Sequence, residues 1–411
     1  MGTTVKELHV AAGPDKTALT VLRHLVDHGP LSRPELAAGV GLGRAATSTI
    51  TNDLMRRSLV SEIATPPSGT RGRPVTLLDL DDDRYAITGI EIGFDRILAA
   101  VYTLRGRELV RIERPAEADA VNPRALLRRA AMVLHEALDL VEEDRRTLLG
   151  VGVSTAGLVD ASSGTIKYAP SLGWRDIALS AGVTEALGDR APVLIDSAAN
   201  CAALAELRNR RRGGARESSL VYLTGTYGIS AGIITGGRLW RGERGMAGEV
   251  GHLTVEADGL RCACGRRGCL DTRAGMSAIA DAALAGATTA RRAARVPTTL
   301  SAGLDQVAAL AQAGDQGALD ALGLAGRWLG RGAALVSAML DPYSVVLGGH
   351  YARLAPWLLA PAREAFRDAL LLPNTDREQL EISTLGAWAP PEGAALAVLH
   401  SYTDGEREFP A

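Results

Sequence analysis

The sequence predicts an α/β protein that follows a small N-terminal module of helices and two strands. Three observations carry this prediction. The N-terminal stretch has the order helix, glycine turn, helix. A plan of strand, glycine turn and strand occurs twice, in 85–102 and again in 220–240. Candidate strands and helices alternate along the remaining chain, and this alternation is typical of α/β folds.

Composition agrees with a globular protein of several domains. The chain has 411 residues, of which 46% are hydrophobic and 22% charged, with a formal net charge of −2. No apolar run approaches the roughly 18 residues that a membrane helix needs, and residues 1–10 lack the pattern of a signal peptide. We therefore expect a cytoplasmic protein with two or three domains and no membrane partner.

The N-terminal module begins with an amphipathic helix over 17–27. Ser32 is the predicted N-cap of a second, short helix, with Glu35 three residues later as its capping-box partner. The glycines of 41–43 make a turn, and a third helix is predicted over 44–57 with Ile50 and Leu54 facing inward. This is the order of a helix-turn-helix, whose second helix enters the major groove of DNA.

Charge and short polar side chains predict double-stranded DNA as the partner of this module. Residues 16–74 contain eight lysines and arginines against four acids. The third helix is expected to present Arg44, Thr47, Ser48, Thr51, Asn52 and Arg56 to the duplex. Residues 59–80 predict a two-stranded wing whose tip carries Arg71, Gly72 and Arg73, a cationic segment suited to a minor groove. The acidic run 81–83 is interpreted as a solvated boundary.

The larger part of the chain is expected to form two lobes with a cleft between them, because the two similar hairpins indicate a duplication. Further strands are predicted over 149–154, 193–196, 344–347 and 381–384, with helices over 126–141 and 322–340. The predicted units are a DNA-binding domain over 1–82, a first lobe over 83–195 joined by a C-terminal helix over 391–403, and a second lobe over 196–390.

A cluster of soft ligands predicts a structural zinc site in the second lobe. Cys262, Cys264 and Cys269 offer three thiolates, and His252 precedes them by ten residues. Three thiolates and one imidazole match tetrahedral structural zinc, which leaves no position for a reacting water. Cys201 stands apart on a helix of small residues and is interpreted as a packing residue.

Several motifs together resemble the ROK family, which contains bacterial repressors and sugar kinases. The resemblance rests on STAGLVD (154–160), GMAGEVGHLTV (245–255), CACGRRGCLD (262–271), DPYSVVLGG (341–349) and the GRP-containing wing. It implies an actin-like, two-lobed ATPase fold of the sugar kinase and hsp70 type, and a homodimer or homotetramer. It also implies a sugar site, which maps to Gly157, Ser197, Asn200, Glu249, His252 and Asp271.

The resemblance also exposes a missing catalytic base. In the family pattern Asn-Asp-x-Asn, the aspartate is the base. The same four positions here hold Ser197, Ala198, Ala199 and Asn200, so alanine stands in place of the aspartate. Alanine cannot accept a proton, and general-base help is worth about 10²–10⁴-fold. Asp196 is an alternative base, although its side chain is expected to point elsewhere. The sequence therefore assigns no catalytic residue.

The phosphate loops depart from the family pattern as well. Glu91, Phe94 and Asp95 occupy the first loop, where a ring and an added carboxylate oppose phosphate. Thr226 and Ser230 replace two glycines of the second loop. The leading interpretation is a transcription regulator, with a palindromic operator as partner and an inactive sugar-kinase-like sensor. Two alternatives remain open: a regulator whose pocket binds no sugar, and an active bifunctional sugar kinase.

Overall fold

The computed structural model describes residues 15–64, 76–116, 122–170, 173–188, 190–225, 228–285, 300–372 and 379–410. Its helices are α1 (Lys16–His28), α2 (Arg33–Val40), α3 (Arg44–Arg56), α4 (Pro123–Glu143), α5 (Leu179–Leu187), α6 (Ala198–Arg212), α7 (Asp271–Ala274), α8 (Met276–Ala285), α9 (Leu300–Gln312), α10 (Gln316–Leu340), α11 (His350–Ala369) and α12 (Ala389–Thr403). Within these ranges, no helix is both long enough and apolar enough to cross a bilayer.

The strands form four sheets. They are β1 (Leu31–Ser32), β2 (Val60–Ala64), β3 (Thr76–Leu80), β4 (Tyr85–Ile92), β5 (Arg96–Thr103), β6 (Glu108–Pro115), β7 (Thr147–Thr155), β8 (Leu158–Asp160), β9 (Thr165–Ala169), β10 (Trp174–Ile177), β11 (Val193–Ser197), β12 (Leu220–Gly225), β13 (Ile229–Thr235), β14 (Arg238–Leu239), β15 (Ser344–Gly349) and β16 (Leu380–Ile382).

The N-terminal module consists of α1 to α3 and a small sheet in which β3 lies between β1 and β2. The predicted capping box is confirmed: the Ser32 hydroxyl accepts from the Glu35 N–H, and the Glu35 carboxylate accepts from the Ser32 N–H. Gly41 ends α2 with a φ of 70°, in the left-handed region that favours glycine. The arrangement is a helix-turn-helix followed by an antiparallel pair of strands. The wing tip with Arg71, Gly72 and Arg73 lies outside the described residues.

Two five-stranded sheets share one plan, as the repeated hairpins predicted. Their strand orders are β11-β7-β4-β5-β6 and β14-β13-β12-β15-β16. In each, the first strand of the antiparallel hairpin (β4–β5 or β12–β13) pairs in parallel with a later strand, β7 or β15. The later strand pairs in parallel with one more strand: β7 pairs with β11, and β15 pairs with β16. A third sheet, β10-β9-β8, adds a small antiparallel layer.

Helices α6 and α12 pack against each other and link the two large sheets, because α12 covers β4 and β7 while α6 covers β12 and β13. Glycines allow this close approach. A Cβ at Gly152 would lie 2.0 Å from the Ala394 carbonyl oxygen, and a Cβ at Gly393 would lie 1.6 Å from that of Cys201. Cys201 is buried at this contact, as expected of a packing residue.

The predicted edges of the lobes fall inside two elements. The edge between 195 and 196 divides β11, all of which pairs with β7 in the first large sheet. The edge between 390 and 391 divides α12 near its first turn. Both elements are therefore continuous across the predicted edges of the lobes.

The N-terminal module docks on the end of α6 through arginines. Arg211 Nη1 lies 2.9 Å from Asp27 Oδ2 on α1. Arg212 donates to the carbonyl oxygens of Leu25 and Val26 near the end of α1, at 3.4 and 3.3 Å. Carbonyl groups at a helix C-terminus favour cations, so Arg212 stabilises the end of α1 as well as holding the helix in place.

The acidic run 81–83 is part of this junction: the Asp83 side chain is exposed, as a solvated boundary predicts, but the Asp82 side chain is not. The Asp82 carboxylate accepts hydrogen bonds from the Thr103 hydroxyl and from Arg107 Nε, the latter at 2.6 Å. Arg146 donates to the main-chain oxygens of Asp82 and Asp83 at 2.6 and 2.8 Å. The run therefore fixes the module to β5 and to the start of β7.

Candidate functional site

A small cavity, which we call the central cavity, lies where the carboxyl ends of β7, β11 and β12 meet the start of β13. It encloses about 60 Å³. Five of the six residues predicted to bind a ligand line it together: Gly157, Ser197, Glu249, His252 and Asp271. Its volume is well below the roughly 300 Å³ at which small-molecule pockets begin. A sugar therefore requires the surrounding segments to move apart.

The sixth residue, Asn200, does not line the central cavity, and this prediction was wrong. Its side-chain amide donates to Asp196 Oδ1 at 2.7 Å, one helical turn back. The same carboxylate accepts from the Ser197 N–H at 2.7 Å and from Arg241 at 2.7 and 2.8 Å. Because these donors occupy it and it faces away from the central cavity, Asp196 is not placed to act as a base.

Glu249 and Asp271 place two carboxyl groups at the rim of the central cavity. Burial, with a contribution from Asp271, raises the pKa of Glu249 to about 7. Burial also raises the pKa of Asp271, although the Ile229 N–H donates to its Oδ1 at 2.6 Å. Gly228 and Gly251 leave room for this carboxylate, since a Cβ at Gly251 would lie 2.5 Å from Asp271 Oδ1. These two buried carboxyl groups can accept hydrogen bonds from the hydroxyl groups of a ligand.

The four predicted metal ligands come together beside the central cavity. One ligand atom from each of His252, Cys262, Cys264 and Cys269 lies within 4.8 Å of the others. The His252 Nδ1 to Cys262 Sγ and the Cys264 Sγ to Cys269 Sγ distances are both 3.7 Å. This donor set is compatible with a single metal ion, and His252 connects the metal cluster to the central cavity.

Turn geometry explains why the thiols converge. The Cys262 N–H donates to the Arg266 carbonyl oxygen at 2.8 Å, which closes a tight loop. Gly268 has a φ of 70°, and a Cβ there would lie 1.6 Å from the Glu256 carbonyl oxygen. Burial opposes ionisation of Cys264, but hydrogen bonds from the Arg266 backbone and side chain outweigh it and lower its pKa to about 7. A thiol that ionises readily is a good metal ligand.

A second cavity of about 310 Å³ lies beside the first phosphate loop. Glu91, Asp95 and His350 contribute to its lining, and burial raises the pKa of Glu91 to about 7. Phe94 lines this cavity and the central cavity as well. Its ring packs edge-on against Trp174, with centroids 6.4 Å apart. A buried aromatic ring therefore stands between the two spaces.

Helix α3 differs from the prediction on its outer face. Thr47 and Thr51 are 0% exposed, and their hydroxyls donate within the helix to the carbonyl oxygens of Gly43 and Ser48. They lie on the same face as Leu54, so they pack inward and cannot contact DNA. Ile50, predicted to face inward, is only partly buried. Of the remaining predicted residues, Ser48 is half-buried, and the exposed ones are Arg44, Asn52 and Arg56.

Sequence reasoning missed three residues of these sites. Thr49 is exposed on α3 beside Asn52, and the three-residue spacing of these two polar residues could have indicated it. Arg241, which holds Asp196, is distant in sequence and has no local signal. Trp174, which supports Phe94, likewise belongs to a strand whose contacts depend on the tertiary fold.

The fold and the sites define a two-lobed, sugar-kinase-like protein that carries a helix-turn-helix module. A family model described as ROK family matches residues 87–400. The chain belongs to the ROK family.

Relatives within the family include both regulators and kinases. The xylose repressor of Bacillus subtilis is 28% identical over 93% of this chain and 95% of its own. A solved ROK family transcriptional regulator, a homologue of the Escherichia coli MLC protein, has a TM-score of 0.72, 26% identity and coverage of 94% and 97%. A ROK family glucokinase from Streptomyces griseus, solved with glucose and AMPPNP, has a TM-score of 0.64, 29% identity and coverage of 77% and 99%.

Proposed function

We propose that this protein is a sugar-responsive transcriptional repressor. The observation that carries the proposal is the combination, in one chain, of an exposed polar face on α3 with the central cavity at the start of α6. Full-length similarity to a xylose repressor and to a ROK regulator supports it. The contacts to operator DNA come from Arg44, Ser48, Thr49, Asn52 and Arg56.

The protein acts in the cytoplasm as a homodimer or homotetramer on a palindromic operator, because two copies of α3 then read two half-sites about one helical turn apart. The DNA-binding unit covers 1–82. The first lobe covers 83–195 with 391–403, and the second lobe covers the intervening 196–390. Arg71, Gly72 and Arg73 of the wing add contacts to the duplex.

The sensor does not phosphorylate its ligand. Ala198 lines the central cavity at the position of the family's catalytic aspartate. Phe94 stands between the central cavity and the cavity beside the phosphate loop, and Asp95, the carboxylate added in this loop, opposes a nucleotide phosphate by like charge. Phosphoryl transfer depends on positioning and electrostatics, and these residues impair both.

The metal of the His252, Cys262, Cys264 and Cys269 cluster is structural zinc. Four protein donors within 4.8 Å of one another would fill the four positions of structural zinc and leave none for substrate. Zinc here would hold His252 at the central cavity, and Glu249 and Asp271 would accept hydrogen bonds from sugar hydroxyls.

The small volume of the central cavity favours one alternative, a regulator whose pocket takes no sugar. Operator binding with and without sugar separates the two. An operator would be selected from random duplexes, and its affinity measured by fluorescence anisotropy with xylose, glucose or N-acetylglucosamine. We expect one sugar to weaken binding about 5- to 150-fold and Glu249→Gln to abolish that response. A panel that saturates the protein without changing operator affinity contradicts the proposal.

A further inference from the structure

A separate cavity of about 450 Å³ lies where α1 of the N-terminal module meets α6, α12 and β14. We call it the junction cavity. Its volume falls within the range of small-molecule pockets, and it is several times larger than the central cavity. Among the described residues, the two cavities have no lining residue in common.

Three arginines line the junction cavity, one from α1 and two from β14 and the residues that follow it. Arg241 is paired with Asp196 at 2.7 Å, and Arg23 of α1 is paired with Asp404 at 3.0 Å. Arg238, exposed on β14, has no ion pair within the described part of the chain. Guanidinium groups bind phosphate and carboxylate through parallel hydrogen bonds, and Arg238 has its donors available for that purpose.

His400 also lines the junction cavity, among charged side chains of both signs. Burial and then the nearby Arg23, Arg208, Arg211 and Arg241 hold the pKa of this imidazole well below its usual value. The ring is therefore neutral, and Asp27 Oδ1 lies 4.0 Å from its Nε2. The nearby guanidinium groups favour a bound anion.

An open groove of about 540 Å³ runs from the junction cavity along α1 and offers a route of entry. Arg23, Arg238, Asp404 and Glu406 line both spaces, so the Arg23–Asp404 pair stands at the connection. Lys16 adds a cation to the groove. Glu406 is exposed and has no ion pair among the described residues. It disfavours a second anionic group and accepts hydroxyl or amino donors.

We propose that the junction cavity is a second ligand site that takes a small organic anion with one phosphate or carboxylate group and a hydroxylated body. The anionic group pairs with Arg238 beside Arg23 and Arg241. Because Arg23 belongs to α1, the ligand bridges the DNA-binding module and the lobes. The site does not depend on the proposed function, since a protein that binds no operator can still bind this anion.

Isothermal titration of the full chain at constant ionic strength tests the site. The probes are glucose 6-phosphate, gluconate and neutral glucose. We expect at least one of the two anions to bind and glucose not to displace it. Binding of glucose 6-phosphate alone identifies a phosphate site, and binding of gluconate alone identifies a carboxylate site.

Matched variants locate the binding. Arg238→Ala should weaken anion binding at least tenfold, and Ala161→Phe, which fills the junction cavity, should abolish it. Arg216→Ala removes an exposed arginine elsewhere and Glu249→Gln alters the central cavity; neither should change the affinity. The proposal is overturned if neither anion binds at 50 mM, if Arg216→Ala weakens binding as much as Arg238→Ala, or if Glu249→Gln abolishes binding.

Discussion

Replacing Glu91 by glutamine should stabilise the protein at alkaline pH and have little effect at acid pH. The buried carboxyl has its pKa raised from 4.5 to about 7. Since the folded-state pKa lies above the unfolded one, the stability linked to this proton is present below pH 4.5. It is lost as the pH rises through 7. Glutamine keeps the shape of the side chain and removes the titration.

The magnitude follows from the two pKa values. Their difference corresponds to about 3 kcal/mol at pH well above 7. Glu91 is only partly buried and borders the cavity of about 310 Å³, so solvent screening reduces the effect and we take about half of that value. A change of 1 kcal/mol moves the melting temperature of a large domain by roughly 2–4 °C. The expected gain at pH 8 is therefore about 3–6 °C.

Melting temperatures of both proteins between pH 5 and pH 8, at fixed ionic strength, measure this gain. The difference between Glu91→Gln and the parent should be smallest at pH 5, about a quarter of its value at pH 8, and level off above pH 7. Glu143→Gln, an exposed replacement on α4, should give no such trend. A difference that stays constant with pH, or that falls, refutes the assignment of Glu91 as a buried acid.

Three further predictions concern the metal, the DNA face and the helix contacts. Cys264→Ser should lose bound zinc, as measured by mass spectrometry of the purified protein; undiminished zinc would remove this residue from the cluster. Asn52→Ala should weaken operator binding by about 1–3 kcal/mol, whereas Thr47→Val should leave it unchanged because Thr47 is buried; equal losses would contradict the observed face. Gly152→Ala should lower the melting temperature because its Cβ meets the Ala394 carbonyl at 2.0 Å. Gly323→Ala, on an accessible stretch of α10, should raise it slightly, and the same sign for both would refute the packing argument.

Features that depend on a few neighbouring residues were predicted well. The capping box of Ser32 and Glu35 is complete within four residues, and its geometry is fixed by the first turn of α2. The spacing of Cys262 and Cys264 likewise forces a tight turn with glycine after it. In both cases the hydrogen bonds or steric limits act within one turn of chain, so the sequence contains the whole cause.

Features that depend on distant partners were not predictable. Thr47 and Thr51 are polar, yet the helix satisfies their hydroxyls internally and leaves their methyl groups for the core. Asn200 was assigned to the ligand, but it binds Asp196, whose other partner, Arg241, is 45 residues from Asp196 in sequence. Hydrophobicity and motif position carry no information about such pairings.

Helix α6 connects the site proposed for sugar binding with the module proposed for operator binding, so the two binding events must depend on each other. It begins beside the central cavity, spans 15 residues or about 22 Å, and ends at the arginines that hold α1. A rigid helix couples its two ends, so a change at the central cavity affects the contact with α1, and a change at that contact affects the central cavity. If a sugar changes operator affinity, then operator DNA changes sugar affinity by the same factor. A sugar affinity measured on the free protein therefore does not describe the repressor on its operator, and DNA is itself an effector of the sensor.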